Sequence, residues 1–120
     1  MARILTVDDS VAMRQMVEVT LASAGYEVSQ AKDSRQALEL AGSQSFDLVI
    51  TDVNMPEMDG LALVRELRGM PAYKHTPLLV LTTEASAERK HEGRQAGATG
   101  WLVKPFNPQR LLETVAKVLK

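Results

Sequence analysis

Leu48-Val49-Ile50-Thr51-Asp52 is a short apolar run that ends on a carboxylate. The turn formers Asn54 and Pro56 follow it, and then Leu63, Val64 and Leu67 recur at helical spacing. An apolar run of that length suits a strand covered on both faces, and the later spacing suits an amphipathic helix. Strand, loop and helix in that order are the unit of a parallel sheet.

The same unit repeats on either side. Strand-like runs lie near residues 3–7, 26–29, 47–51, 77–82 and 99–103. Leu78-Leu79-Val80-Leu81 is continuously apolar, as a central strand should be, whereas Tyr26 to Ser29 alternate and suit an edge strand. Met13, Met16, Val17, Thr20, Leu21 and Ala24 share one face of a first helix. Ala37, Leu38 and Ala41 mark a second, with Asp33 or Ser34 placed to cap it. Leu111, Leu112, Val115, Val118 and Leu119 mark the last, with Asn107 as N-cap and Pro108 at the first helical position. Ser86 to Ala96 is the weak case, almost without an apolar face and with Gly93 inside it. A helix there is expected to be exposed and the most mobile of the set. Five strands alternating with five helices predict an α/β domain, a parallel sheet with helices on both faces.

Composition narrows the class. The 120 residues suit one domain spanning 1–120, and the absence of cysteine excludes thiolate metal sites, thiol redox chemistry and disulfides. A net charge of −1 argues against a nucleic-acid partner. No apolar run approaches the ~20 residues of a membrane span, and the N-terminus does not read as a signal peptide, so a cytoplasmic location is expected. Only Lys120 follows the apolar pattern of the last helix, so output through another molecule is expected.

The chemistry sits at strand ends. Asp8 and Asp9 follow Val7, Asp52 follows Thr51, Thr82 and Thr83 follow Leu81, and Lys104 follows Val103. In open parallel sheets ligands bind at the carboxyl ends of strands, so these groups are expected to share one crevice. Singly, Asp9 or Ser10 reads as a helix cap, and Asp52 with Asn54 and Pro56 as turn residues. Together they read as a site. Two unit charges about 5 Å apart repel by about 3 kcal/mol at an effective dielectric of roughly 20, so clustered carboxylates call for a cation. Oxygen ligands without His or Cys favour Mg²⁺ or Mn²⁺. A carboxylate can attack phosphorus, and Lys104 with the Thr82 hydroxyl would hold the phosphoryl oxygens.

Four stretches carry a family resemblance: Val7-Asp8-Asp9-Ser10, Asp52 to Gly60, Leu81-Thr82-Thr83-Glu84, and Lys104-Pro105-Phe106. In their order and spacing the chain resembles bacterial response-regulator receiver domains over essentially its whole length, and most closely the single-domain chemotaxis regulators. The resemblance implies a flavodoxin-like (βα)5 fold with strand order 2-1-3-4-5. It implies that Asp52 accepts a phosphoryl group from a histidine kinase. Mg²⁺ would be bound by Asp9, Asp52 and the backbone carbonyl of Asn54, with Asp8 acting through water. Thr82 and Lys104 would contact the phosphoryl group. Trp101 would take the aromatic switch position, and residues at Asn54 and Glu84 would tune hydrolysis. The sequence departs from the commonest pattern in three places. Trp101 is bulkier than the usual Tyr or Phe, Thr83 replaces a small residue and narrows access, and the helix around Gly93 is polar.

The resulting expectation is a monomeric, stand-alone regulator of a two-component, chemotaxis-type system. It catalyses only its own phosphoryl transfer and dephosphorylation, and binds a target such as a flagellar motor switch component. Arg89, Lys90, Arg94, Trp101 and Lys117 are the expected partner face. The alternative is a phosphate sink for a kinase, without a downstream target. A phosphatase with an Asp-x-Asp nucleophile fits poorly because Asn54 stands where the second acid is needed, and no G-x-G-x-x-G or Walker A stretch supports a nucleotide site.

Overall fold

A computed structural model describes all residues, Met1–Lys120. Strands β1 (Arg3–Val7), β2 (Glu27–Ala31), β3 (Leu48–Thr51), β4 (Leu78–Thr82) and β5 (Gly100–Val103) alternate with helices α1 (Val11–Ser23), α2 (Ser34–Ser43), α3 (Gly60–Arg68), α4 (Ala87–Ala96) and α5 (Pro108–Val118). A single 3₁₀ turn, Pro71–Tyr73, precedes β4. The five strands form one parallel sheet in the order β2-β1-β3-β4-β5. The expected doubly wound α/β architecture is therefore the one observed, with β2 at an edge.

The pleat sorts the sheet's side chains into two cores. Ile4, Leu48, Ile50, Leu79 and Leu81 meet Val17 and Leu21 of α1 and Leu111 and Val115 of α5. Leu5, Val7, Val49 and Leu78 face the other way, onto α2, α3 and Ala96 of α4. Helix starts follow the local chemistry. The side chains of Ser10, Asp33, Asp59, Ser86 and Asn107 each accept a hydrogen bond from a backbone N–H in the first turn. Of the alternatives open in the sequence, Ser10 rather than Asp9 caps α1, and Asp33 rather than Ser34 caps α2.

Two expectations need correction. Residue 26 lies outside β2, which runs on to Ala31 because its ladder with β1 continues to the pair Val7 and Ala31. On α1 only Val17 and Leu21 are buried; Met16 is 55% exposed, and Ala24 caps the helix from beyond its end. A stripe drawn from i, i+3 and i+4 steps is wider than the strip the sheet covers, so its edge faces solvent.

Candidate functional site

The ladder hydrogen bonds run one residue past the strands and set the site. The Asp8 amide donates to the Ala31 carbonyl (3.1 Å), that of Asp52 to Val7 (3.0 Å), and that of Lys104 to Thr82 (2.8 Å). Asp8 and Asp52 are thereby held beside each other at the ends of the neighbouring strands β1 and β3. Both are nearly buried, at 4% and 8% exposure. Asp9 is exposed one step further on, and a carboxylate oxygen from each of the three lies within 4.8 Å of the others.

Lys104 joins two of them. Its Nζ donates to Asp8 Oδ2 (2.7 Å) and to Asp52 Oδ2 (3.0 Å). Burial pushes the ammonium pKa down, but hydrogen bonds to Asp8 and Asp52, reinforced by their charges, outweigh this and hold it above the ordinary lysine value. The other carboxylate oxygens meet backbone: Asp8 Oδ1 accepts from the Ser10 amide (2.9 Å), and Asp52 Oδ1 from the Val53 amide (2.6 Å). Three acids against one ammonium leave the pocket short of positive charge. Its donor set is carboxylate oxygen only, which fits a hard divalent cation.

The remaining predicted residues are distributed around this centre. Thr82 is fully buried at the end of β4, where its Oγ1 accepts from the Glu84 amide (3.3 Å). Asn54 is exposed on the loop after β3, Thr83 is exposed, and Glu84 is half-buried. Trp101 stands apart from the acids. Its Nε1 donates to the Glu84 carbonyl (2.9 Å), and its ring packs against the small cluster of Val53, Leu61 and Val80.

Two positioning residues carried no assigned role in the sequence. Arg14 reaches back from α1 to donate from Nη1 to the Asp8 carbonyl (2.6 Å) and from Nε to Gln30 Oε1 (3.1 Å), which ties down the loop that bears Asp8 and Asp9. An arginine one turn into a helix gives no local sign of this. Gly60 lies so close to the phosphoacceptor candidate that a Cβ there would stand 1.8 Å from the Asp52 carbonyl oxygen. Its amide donates to the Val53 carbonyl (2.8 Å), so α3 starts directly against the site.

The expected partner face is only partly free. Arg89 is engaged with Glu92 (3.0 Å) and lies 3.9 Å from Asp59. Lys90 and Arg110 instead border a cavity of about 390 Å³ lined by Trp101, Val103, Phe106 and Leu111. Arg94 lines a second, smaller cavity together with Lys90, Thr99 and Trp101. Arg110 was not singled out in the sequence, because only the packing of α5 beside β5 brings it to this groove.

The family model described as "Response regulator receiver domain" matches residues 4–116. The chain is 39% identical to the "Chemotaxis protein CheY" of Pseudomonas aeruginosa, over 98% of this chain and 96% of that one. Its fold matches the solved structure of the Vibrio cholerae chemotaxis protein CheY4 with a TM-score of 0.95, at 56% identity and 98% coverage of both chains. It also matches a response regulator from Thermotoga maritima, solved in complex with Mg²⁺-BeF, with a TM-score of 0.88 and 36% identity, covering 98% of this chain and 99% of that one.

Proposed function

The chain belongs to the response regulator receiver domain family, and on that premise we propose that it is a stand-alone, chemotaxis-type switch phosphorylated on Asp52 by a histidine kinase. The observation that carries this reading is the Asp52 carboxylate itself, nearly buried at a strand end with one oxygen on Lys104 Nζ at 3.0 Å. A buried carboxylate with a cation beside it and a second acid across the pocket is set up to receive an electrophile with negative oxygens.

In the proposed transfer an Asp52 oxygen forms a bond to phosphorus as the phosphorus–nitrogen bond to the kinase histidine breaks, and the imidazole leaves with the electron pair. Lys104 turns from the two carboxylates towards the incoming phosphoryl oxygens, and the buried Thr82 hydroxyl donates to another. Asp9, Asp52 and the Asn54 carbonyl would hold Mg²⁺, with Asp8 acting through water, and Mn²⁺ suits the same oxygen set. When bound, the ion neutralises charge on the transferring group. Asn54, exposed, and Glu84 flank the approach and would tune hydrolysis, while exposed Thr83 narrows the approach. Beyond this transfer and the hydrolysis of the aspartyl phosphate, in which water attacks the phosphorus and Asp52 leaves as carboxylate, no further catalysis is proposed.

The groove between α4, β5 and α5 supports a downstream target over a bare phosphate sink, since a sink needs no such surface. Its apolar lining with Lys90 and Arg110 on the rim suits an acidic amphipathic helix, such as a segment of a flagellar motor switch component. The proposal includes a monomeric protein acting in the cytoplasm. No helix is long and apolar enough to cross a membrane.

Incubation with Mg²⁺ and a small acyl phosphate, read by intact mass, tests the central claim. A single phosphate on the wild type is expected, none on Asp52→Asn, and none after chelation. Equal labelling of Asp52→Asn would move the acceptor elsewhere. Reversal of charge at Lys90 and Arg94 with no loss of phosphorylation-dependent target binding would remove the partner face.

A further inference from the structure

Helix α4 buries only Gly93 and Ala96, so no side chain larger than a methyl anchors it in the core. Glycine is a poor residue for a helix interior, and Gly93 has an ordinary helical backbone, so its conformation does not call for it. Space does. A Cβ at Gly93 would stand 2.6 Å from Cζ3 and 3.0 Å from Cε3 of Trp101, with Leu61 at 3.7 Å. The indole lies directly on the helix backbone, in a trough that exists only because the side chain is missing.

The polar edge of the same ring is also held. Trp101 Nε1 donates to the Glu84 carbonyl, and the Glu84 amide donates to Thr82 Oγ1. Thr82 in turn accepts the Lys104 amide at its carbonyl. Buried hydroxyl, loop, indole and helix thus form one connected path from the acid pocket to α4. Outward rotation of the ring would break the N–H···O bond and leave an empty trough against a helix backbone, and both changes are unfavourable.

We propose that Gly93 is the receptacle for Trp101, and that the pair latches the loop between β4 and α4 before any phosphate arrives. The proposal rests on the reading of Asp52 as phosphoacceptor for its regulatory meaning, though not for its geometry. The indole is then a fixed strut. A displacement at Thr82 moves Glu84 and α4 as a unit, and burial of the ring is not the event that phosphorylation controls.

Trp101 is the sole tryptophan, so its fluorescence reads the latch without labelling. In the wild type, acrylamide quenching is expected to be the same before and after Asp52 is phosphorylated, with occupancy fixed by intact mass. A clear fall in quenching on phosphorylation would overturn the latch. Failure of Asp52 to label would instead sink the phosphoacceptor reading, and the latch is then decided by a mutant cycle that needs no phosphate. Gly93→Ala is expected to lower the melting temperature and raise quenching while Trp101 is present. In a Trp101→Ala background the same change should raise the melting temperature, because the helix gain is no longer opposed by the ring. A stabilising Gly93→Ala with Trp101 in place would refute the receptacle. Trp101→Phe keeps a ring but removes the donor, so hydrogen exchange of the Glu84–Glu88 amides should quicken about five-fold, the factor for one net hydrogen bond. Unchanged exchange there would show that the indole N–H holds nothing.

Discussion

Two cations sit at opposite ends of the sheet and are satisfied in opposite ways. At the carboxyl end Lys104 holds two carboxylates and is drawn to a higher pKa by them. At the amino end Arg68 has no acidic partner at all. Its Nη1 donates to the carbonyls of Tyr73 (2.8 Å), Thr76 (2.6 Å) and Lys74 (3.3 Å), while Nε (3.0 Å) and Nη2 (2.9 Å) donate to that of Gly97. Burial lowers the pKa of that guanidinium. A ring of carbonyl dipoles cannot be exchanged for another ligand, because every one is part of the folded main chain. Carboxylates around an ammonium can trade partners when a metal or a phosphoryl group enters. The amino end is built to stay, and the carboxyl end to change.

The largest test of that contrast is Arg68→Met. Loss of the fork leaves carbonyls of the loops before β4 and β5 without donors, and urea unfolding should show a loss of about 2–3 kcal/mol. Phosphorylation of Asp52 should persist in the folded fraction. If labelling fell with stability, the two ends would not be independent.

Asp9→Asn probes the other end and should act with the opposite sign. With three acids reduced to two, stability in chelator should rise by about 1 kcal/mol, the Coulomb term discounted for an exposed group. Millimolar Mg²⁺ should stabilise the wild type more than the variant, since a ligand that binds only the folded state raises its melting temperature. Equal stabilisation of both proteins would remove Asp9 from the metal site.

The smallest effect is in pH. Lys104 has a folded pKa above its unfolded value, so its stabilisation is fully present below the unfolded value, about 10.4, and is lost as pH rises through the folded one. The stability difference between wild type and Lys104→Met should therefore be level from neutral pH to about pH 9 and shrink only in strong alkali. A difference that disappears near neutrality would mean that the carboxylates do not hold the lysine as the geometry indicates.

Much of this was legible in the sequence, for reasons that are local. Apolar runs of strand length, helical spacing in α3 and α5, and the caps at Asp33 and Asn107 act over a few residues and can be read in order. Placement of acids after β1 and β3 and of Lys104 after β5 needed only the rule that parallel strands end on one side. The α1 face was overdrawn because spacing shows which residues share a side, but not how wide a strip the sheet will cover. Gly93 was legible as a weakness of α4, and its use was not, since the ring that fills its place comes from the next strand.

By itself, then, the sequence determined the order of elements, the layers and the set of groups at the carboxyl end of the sheet, because propensity, periodicity and capping are short-range. Tertiary structure alone decided that Lys104 pairs with Asp8 and Asp52 and not with the exposed Asp9, and that Arg68 gathers carbonyls from the two loops before β4 and β5. It also decided that Trp101 rests on Gly93 with its N–H on Glu84. Each of these is a contact between groups distant along the chain, chosen by distance and burial once the sheet has closed.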